Sequence, residues 1–221
     1  MPTVKSVVIS CAGIGSRLGL ATTKALVDVG GMSLIARQLE MLRDVEDIRI
    51  VIGYQASDVI DEVKKYRKDV IFCYNHDYFD TKTGASFFLG ARHGYEFVME
   101  LDGDLLVHPE DMRMLLNQEG EWIGYSDISS EDAVLLTVNQ NNEVTSFSRK
   151  NGNYEWTGPA CIKKSRLKID AMHVFNQIEP FLPMRGIKIR ACDIDTYDDY
   201  VRAIEFVNQW QEGMSDGEKN K

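Results

Sequence analysis

Apolar positions follow two rhythms along this chain. Continuous β-branched and apolar runs at 4–11 (VKSVVISC), 47–54 (DIRIVIGY), 69–75 (DVIFCYN) and 95–104 (YEFVMELDGD) predict strands. Between them the spacing turns helical. Leu34, Ile35, Leu39 and Leu42 share one face, and Val59, Ile60, Val63 and Tyr66 another. A short helix is predicted over GASFFLGARHG, and Pro109 sits where a proline opens a helix, in HPEDMRMLLNQ. After Glu119 the segments WIGYSD, AVLLTVN, EVTSFSRK and YEWTGPACIKK read as short strands, with a hairpin turn at 139–143 (NQNNE). A helix is predicted at about 165–179 on Leu167, Met172, Phe175 and Ile178. A strand then follows at 186–195 (GIKIRACDID), and a last helix bears Tyr200, Ala203, Ile204 and Val207.

Strands alternating with helices through the first half predict an α/β layered fold, and near-continuous apolar strands need a sheet covered on both faces. The chain reads as one domain over 1–210. Its N-terminal parallel α/β half is 4–118, its β-rich, site-capping half is 119–210, and a polar tail at 211–221 is expected to fray.

Length and composition are those of a globular domain: 221 residues, 44% hydrophobic and 27% charged. The formal net charge of −9 disfavours nucleic acid as the main partner, since phosphate neutralisation dominates that affinity. No apolar stretch approaches the roughly 18 residues of a membrane span, and no secretory signal is recognisable. Cys11, Cys73, Cys161 and Cys192 lie far apart, each in a strand-like stretch, which suits reduced thiols in a cytoplasmic protein.

The informative stretch is CAGIGSRLGLATTKALVDVGG at 11–31, directly after the first strand. Glycines there let backbone N–H groups approach phosphate oxygens closely. A dinucleotide fingerprint fits Gly13 and Gly15 but meets Leu18 at its third glycine, and the P-loop spacing is absent. Arg17 and Lys24 in one short loop instead suit a triphosphate. Two acidic constellations, 101–104 (LDGD) and 193–196 (DIDT), each end a predicted strand, so both fall at the sheet edge where α/β folds bind ligands.

Ala12, Gly13, Gly15, Ser16, Arg17, Lys24, Ala25 and Leu26 resemble the signature of nucleotidyltransferases that activate sugar 1-phosphates, phosphocholine and similar metabolites. Thr23 replaces the family's usual proline, which is expected to loosen the loop. The resemblance covers about residues 4–210. It implies a three-layer, Rossmann-like mixed sheet of the glycosyltransferase-A type. It also implies catalytic roles for Arg17 and Lys24, and Mg²⁺ held by Asp104 and Asp195, with Asp102 and Asp193 as weaker assistants. Nucleotide contacts are expected from Ala12, Gly13, Gly15, Ser16, Asp102 and the 83–86 turn (Thr83, Gly84, Ala85, Ser86), and acceptor contacts from Glu155 and Gly158.

The reaction so implied joins a nucleoside triphosphate, CTP weakly favoured by the compact length, to a small phosphorylated acceptor. Pyrophosphate leaves. The acceptor's own phosphate oxygen is the nucleophile, so His76, His93, His108 and His173 receive no catalytic role. Arg149 and Lys150 are candidates for the acceptor phosphate, with a solvated pair the favoured reading, and a homodimer is left open. Alternatives from other classes are a non-catalytic nucleotide-binding module, a nicotinamide oxidoreductase and a metal-dependent glycosyltransferase.

Overall fold

The computed structural model describes residues 4–15, 19, 22–129 and 133–219, with side chains through Trp210. The first half builds β1 (Lys5–Cys11), α1 (Leu34–Met41), β2 (Ile48–Ile52), α2 (Ala56–Tyr66), β3 (Ile71–Tyr74), α3 (Thr83–Ala91), β4 (Phe97–Asp102), β5 (Leu105–Val107) and α4 (Pro109–Leu116). The second half adds β6 (Trp122–Ser126), β7 (Leu135–Val138), β8 (Glu143–Ser148), β9 (Tyr154–Lys163), α5 (Val174–Ile178), β10 (Met184–Lys188), β11 (Ala191–Asp193) and α6 (Tyr197–Lys219). Helical backbone in α6 thus continues past residue 210, where the sequence pattern ended the domain.

Among the described residues the main sheet has the order β3-β2-β1-β4-β9-β6-β10-β8-β7, and β7 also pairs with β9. β1, β2, β3 and β4 run parallel, and β9 enters antiparallel beside β4. The β-rich half therefore extends the same sheet, and its β7–β8 hairpin folds back on β9. β9 is long enough to serve both, pairing with β4 through 160–163 and with β7 through Tyr154 and Glu155.

Helices cover both faces. Val7 and Ile9 of β1 pack with Ile35, Leu39 and Leu42, Val59 and Val63, and Met112 and Leu115 on one side. Val8 packs with Phe87 and Ala91 of α3 on the other, which gives three layers. A smaller core under α6, with Ala203, Val207 and Trp210, covers the two-stranded β5–β11 sheet. Among the described residues no helix is long and apolar enough to cross a membrane. The cysteines are free thiols; Cys11 and Cys161 are buried, and burial first of all raises the Cys161 and Cys192 thiols to about 12.

Two predicted elements differ. The 165–179 helix is realised only as α5, preceded by a 3-10 turn at Lys164–Arg166. Backbone groups of the intervening segment are committed elsewhere. The Gln177 side chain bonds both Lys168 N–H (2.8 Å) and Lys168 C=O (2.6 Å), and Met172 C=O accepts from Gly84 N–H (3.1 Å). An i→i−4 ladder would have to break these bonds. The 186–195 strand also divides: β10 stays in the main sheet while β11 pairs with β5. The break is at Arg190, whose backbone N–H and guanidinium bond Asp111 at the start of α4.

Candidate active site

A cavity of about 570 Å³ opens at the carboxyl ends of β1 and β4. Ala12, Gly13 and Gly15 form one wall. Gly15 adopts φ +69°, and a Cβ there would lie 2.9 Å from Lys24 Cγ, so only glycine lets this loop close over the lysine stem. Ser16 and Arg17 lie outside the described residues. Thr23 proves a fixed point rather than a loose one. It is buried, takes Gln55 Oε1 on its N–H at 2.8 Å, and gives its hydroxyl to Gly13 C=O at 3.2 Å. Proline at this position has no N–H to give.

Lys24 is where the three distant stretches meet. Its ammonium donates to Asp104 Oδ2 at 2.6 Å and also to Asp195 Oδ1. Strand pairing explains the encounter. Asp193 of β11 is in register with Leu105 of β5, and Ile194 N–H bonds Asp104 C=O at 3.2 Å, so Asp195 falls beside Asp104. Asp199 then holds the second turn, accepting from the backbone N–H groups of Asp195 (3.1 Å) and Thr196 (2.7 Å) and from the Thr196 hydroxyl (2.8 Å). Thr196 caps Asp199 N–H in return, a reciprocal start for α6.

The local field is strongly negative. Burial would lower the Lys24 pKa, but Asp104 and Asp195 outweigh it and raise the value, so the ammonium stays charged. Asp102 is pushed up to about 7 by burial and then by the charge of Asp104. Asp193 also reaches about 7, from burial and then Asp104 and Asp195. Behind Asp102, the wholly buried Glu100 has no nitrogen or hydroxyl donor among the described residues and meets the Asp102 carboxyl. Burial, then the charge of Asp102, raises Glu100 well above the ordinary carboxylate range, and as a neutral acid it donates to Asp102.

These shifts fix a pH dependence. A carboxyl raised in the folded state binds more protons there than in the unfolded chain, from about pH 4 up to about 7, so stability falls as pH rises through that window. The metal-free protein is expected to melt at higher temperature near about pH 5.5 than about pH 7.5, and Asp193→Asn to flatten that slope. Identical slopes in the two proteins, measured by thermal unfolding, would remove Asp193 from this account.

The remaining predicted residues divide. Asp102, Glu155, Gly158, Thr83 and Ser86 line the cavity. Gly84 and Ala85, also expected to contact nucleotide, are not among the residues that line it. A Cβ on Gly84 would lie 2.3 Å from Ala171 C=O, so its small size serves packing against the 171–173 segment. Asn75, buried after β3, fixes this loop by donating to Thr81 Oγ1 (2.9 Å) and Ser86 Oγ (3.0 Å). Arg149, read from the sequence as solvated, sits on the cavity wall with Trp156, His173 and Phe175. His173 and Phe175 stack at 5.4 Å. Burial, then Arg149 and Lys82, lowers the His173 pKa and keeps the ring neutral. Nothing in the local sequence marks His173 and Phe175 for this wall, because strand and loop contacts far apart along the chain assemble it. Asp104 and Asp195 offer hard carboxylate oxygens that converge on one cation, the donor set magnesium takes. Among the described residues no group of three or more His, Cys, Asp or Glu is arranged to hold a metal. A magnesium ion here would complete its shell with phosphate and water oxygens.

A glycine loop, a cation and paired carboxylates thus lie together at the carboxyl edge of a three-layer sheet. A family model described as the MobA-like NTP transferase domain matches residues 7–157, and the chain belongs to that family. The bifunctional protein GlmU of Clostridium novyi (strain NT) is 33% identical over 137 residues, covering 61% of this chain and 28% of that protein. The chain spans between 23% and 35% of the length of the curated relatives it matches. Its fold is similar to that of the inositol-1-phosphate CTP transferase from T. maritima, with TM-score 0.82 and 17% identity over 96% of this chain and 99% of the other. The CTP:phosphocholine cytidylyltransferase LicC from Streptococcus pneumoniae gives TM-score 0.76 and 20% identity, over 93% of this chain and all of the other (100%).

Proposed function

We propose that this protein transfers a nucleoside monophosphate, CMP by preference, from a nucleoside triphosphate to a small phosphorylated acceptor and releases pyrophosphate. The observation that carries the reading is the contact of Lys24 with both Asp104 and Asp195 beside the glycine loop.

An acceptor phosphate oxygen forms the new bond to the α-phosphorus, and the bond to the β-bridging oxygen breaks. That nucleophile is already ionised near neutral pH, so no protein base is needed. The barrier is electrostatic, and the protein's task is to position two anions and offset the charge that develops. Backbone N–H groups of the 12–15 loop hold the triphosphate. Lys24 leaves its carboxylate partners to meet the α-phosphate or the acceptor, and Arg17 holds the β- and γ-phosphates. Asp104 and Asp195 would hold a magnesium ion, which would supply positive charge against the phosphates.

The acceptor wall supports a zwitterion over a plain sugar phosphate. Arg149 suits a phosphate. The faces of Trp156 and the stacked His173–Phe175 pair, together with the buried Glu155 carboxylate, suit an ammonium. Phosphocholine-like and aminoethylphosphonate-like acceptors have both groups. CTP is further supported by the two structural neighbours named as CTP transferases.

The test is pyrophosphate release with Mg²⁺, crossing the four ribonucleotide triphosphates and dTTP with phosphocholine, aminoethylphosphonate and sugar 1-phosphates. Fast release with CTP and a zwitterionic acceptor is expected. Turnover only with sugar 1-phosphates would overturn the acceptor assignment, and nucleotide binding without turnover on any pair would make the chain a non-catalytic module.

A further inference from the structure

Gln38 is a polar side chain in the middle of an apolar stripe. On α1 it stands one turn from Leu34 and one from Leu42, beside Ile35 and Leu39, and only 1% of it is exposed. The amide has a specific engagement. Its Nε2 donates to Asp102 C=O at 2.7 Å and to Leu105 C=O at 2.8 Å, the two carbonyls that flank Gly103 and Asp104. Its Oε1 is buried with no donor among the described residues.

The same turn is fixed from above. Gly103 N–H bonds Ser10 C=O at 3.0 Å, and a Cβ on Gly103 would lie 2.7 Å from that oxygen and 2.9 Å from Cys11 Sγ. Pressed against β1 on one side and tied to α1 on the other, the turn has little freedom left.

We infer that Gln38 is a positioning residue for metal binding: its amide clamps the 102–105 turn and thereby aims the Asp104 carboxylate at the ion it shares with Asp195. The inference rests on the reading of Asp104 and Asp195 as the magnesium-holding pair. A purely apolar residue would fill this stripe at less desolvation cost, yet would remove the donor that ties the two carbonyls beside the site together. Groups that orient a metal ligand from behind typically alter metal affinity or activity 10–100-fold when replaced.

The experiment measures Mn²⁺ binding by electron paramagnetic resonance with a non-hydrolysable CTP analogue present, in wild type, Gln38→Met and Gln38→Asn. Thermal unfolding of each protein confirms its fold. Gln38→Met keeps the length and removes the donor; Gln38→Asn keeps an amide too short to span both carbonyls, and serves if the first variant does not fold. Both variants are expected to bind Mn²⁺ at least about tenfold more weakly. Nucleotide binding in EDTA should stay near wild type, and the Mg²⁺ concentration for half-maximal rate should rise in parallel. A folded variant with wild-type Mn²⁺ affinity overturns the role of Gln38. Loss of EDTA-resistant nucleotide binding to the same degree also overturns it, since that marks a general structural defect. Wild type that binds no Mn²⁺ with the nucleotide overturns the metal reading itself, and the inference with it.

Discussion

Lys24→Ala is expected to lower turnover by about 10²–10³-fold, equivalent to about 2.7–4 kcal/mol of transition-state stabilisation, with the protein still folded. The side chain is 13% exposed and serves two acids at once. In the free protein it offsets repulsion between Asp104 and Asp195, with Asp102 and Asp193 close behind. In the proposed reaction it would meet phosphate. Removal therefore has two separable consequences: slower chemistry, and a cluster of carboxylates without its ammonium. The second should lower the melting temperature of the metal-free protein, and added Mg²⁺ with CTP should restore it. Lys24→Met, which keeps most of the stem, should show the same rate loss with a smaller packing defect. Near-normal turnover of both variants on purified substrates would remove Lys24 from the mechanism.

Asp104→Asn and Asp195→Asn should each cost a similar factor, about 10²–10³ in turnover, because each removes one anionic oxygen from a shared cation. The Mg²⁺ concentration needed for half-maximal rate should rise in both. A double variant should lose far less than the product of the single losses, since the two side chains act through one ion. The measurement is steady-state pyrophosphate release against Mg²⁺ concentration for the four proteins. Full multiplication of the losses would mean that the acids act independently, and unchanged Mg²⁺ dependence in both single variants would end their assignment as metal holders.

Much of the site had a local signal. Gly13, Gly15 and Lys24 are marked by spacing within one loop, and Asp104 and Asp195 by acids that end apolar runs. Gln38 also left a trace, as the polar interruption of the Leu34–Leu42 stripe, though its partner turn could not be read from that stripe. At Gly84 the sequence is ambiguous for a physical reason: a small residue opening a helix looks the same whether it makes room for a ligand or for the backbone of Ala171. Arg149 is exposed and also lines the cavity, so a solvated residue and an acceptor contact have the same local signal.

The order and type of most elements, the glycine loop and the acidic turns follow from the chain itself, because periodicity and turn chemistry act over a few residues. Tertiary structure alone decided that the predicted 165–179 helix yields its backbone to α3 and Gln177, that the 186–195 strand breaks at Arg190, and that β11 pairs with β5. The last of these sets Asp195 beside Asp104 and Lys24. Residues 171 apart were brought within one hydrogen bond by strand register and helix packing, which depend on every long-range contact at once.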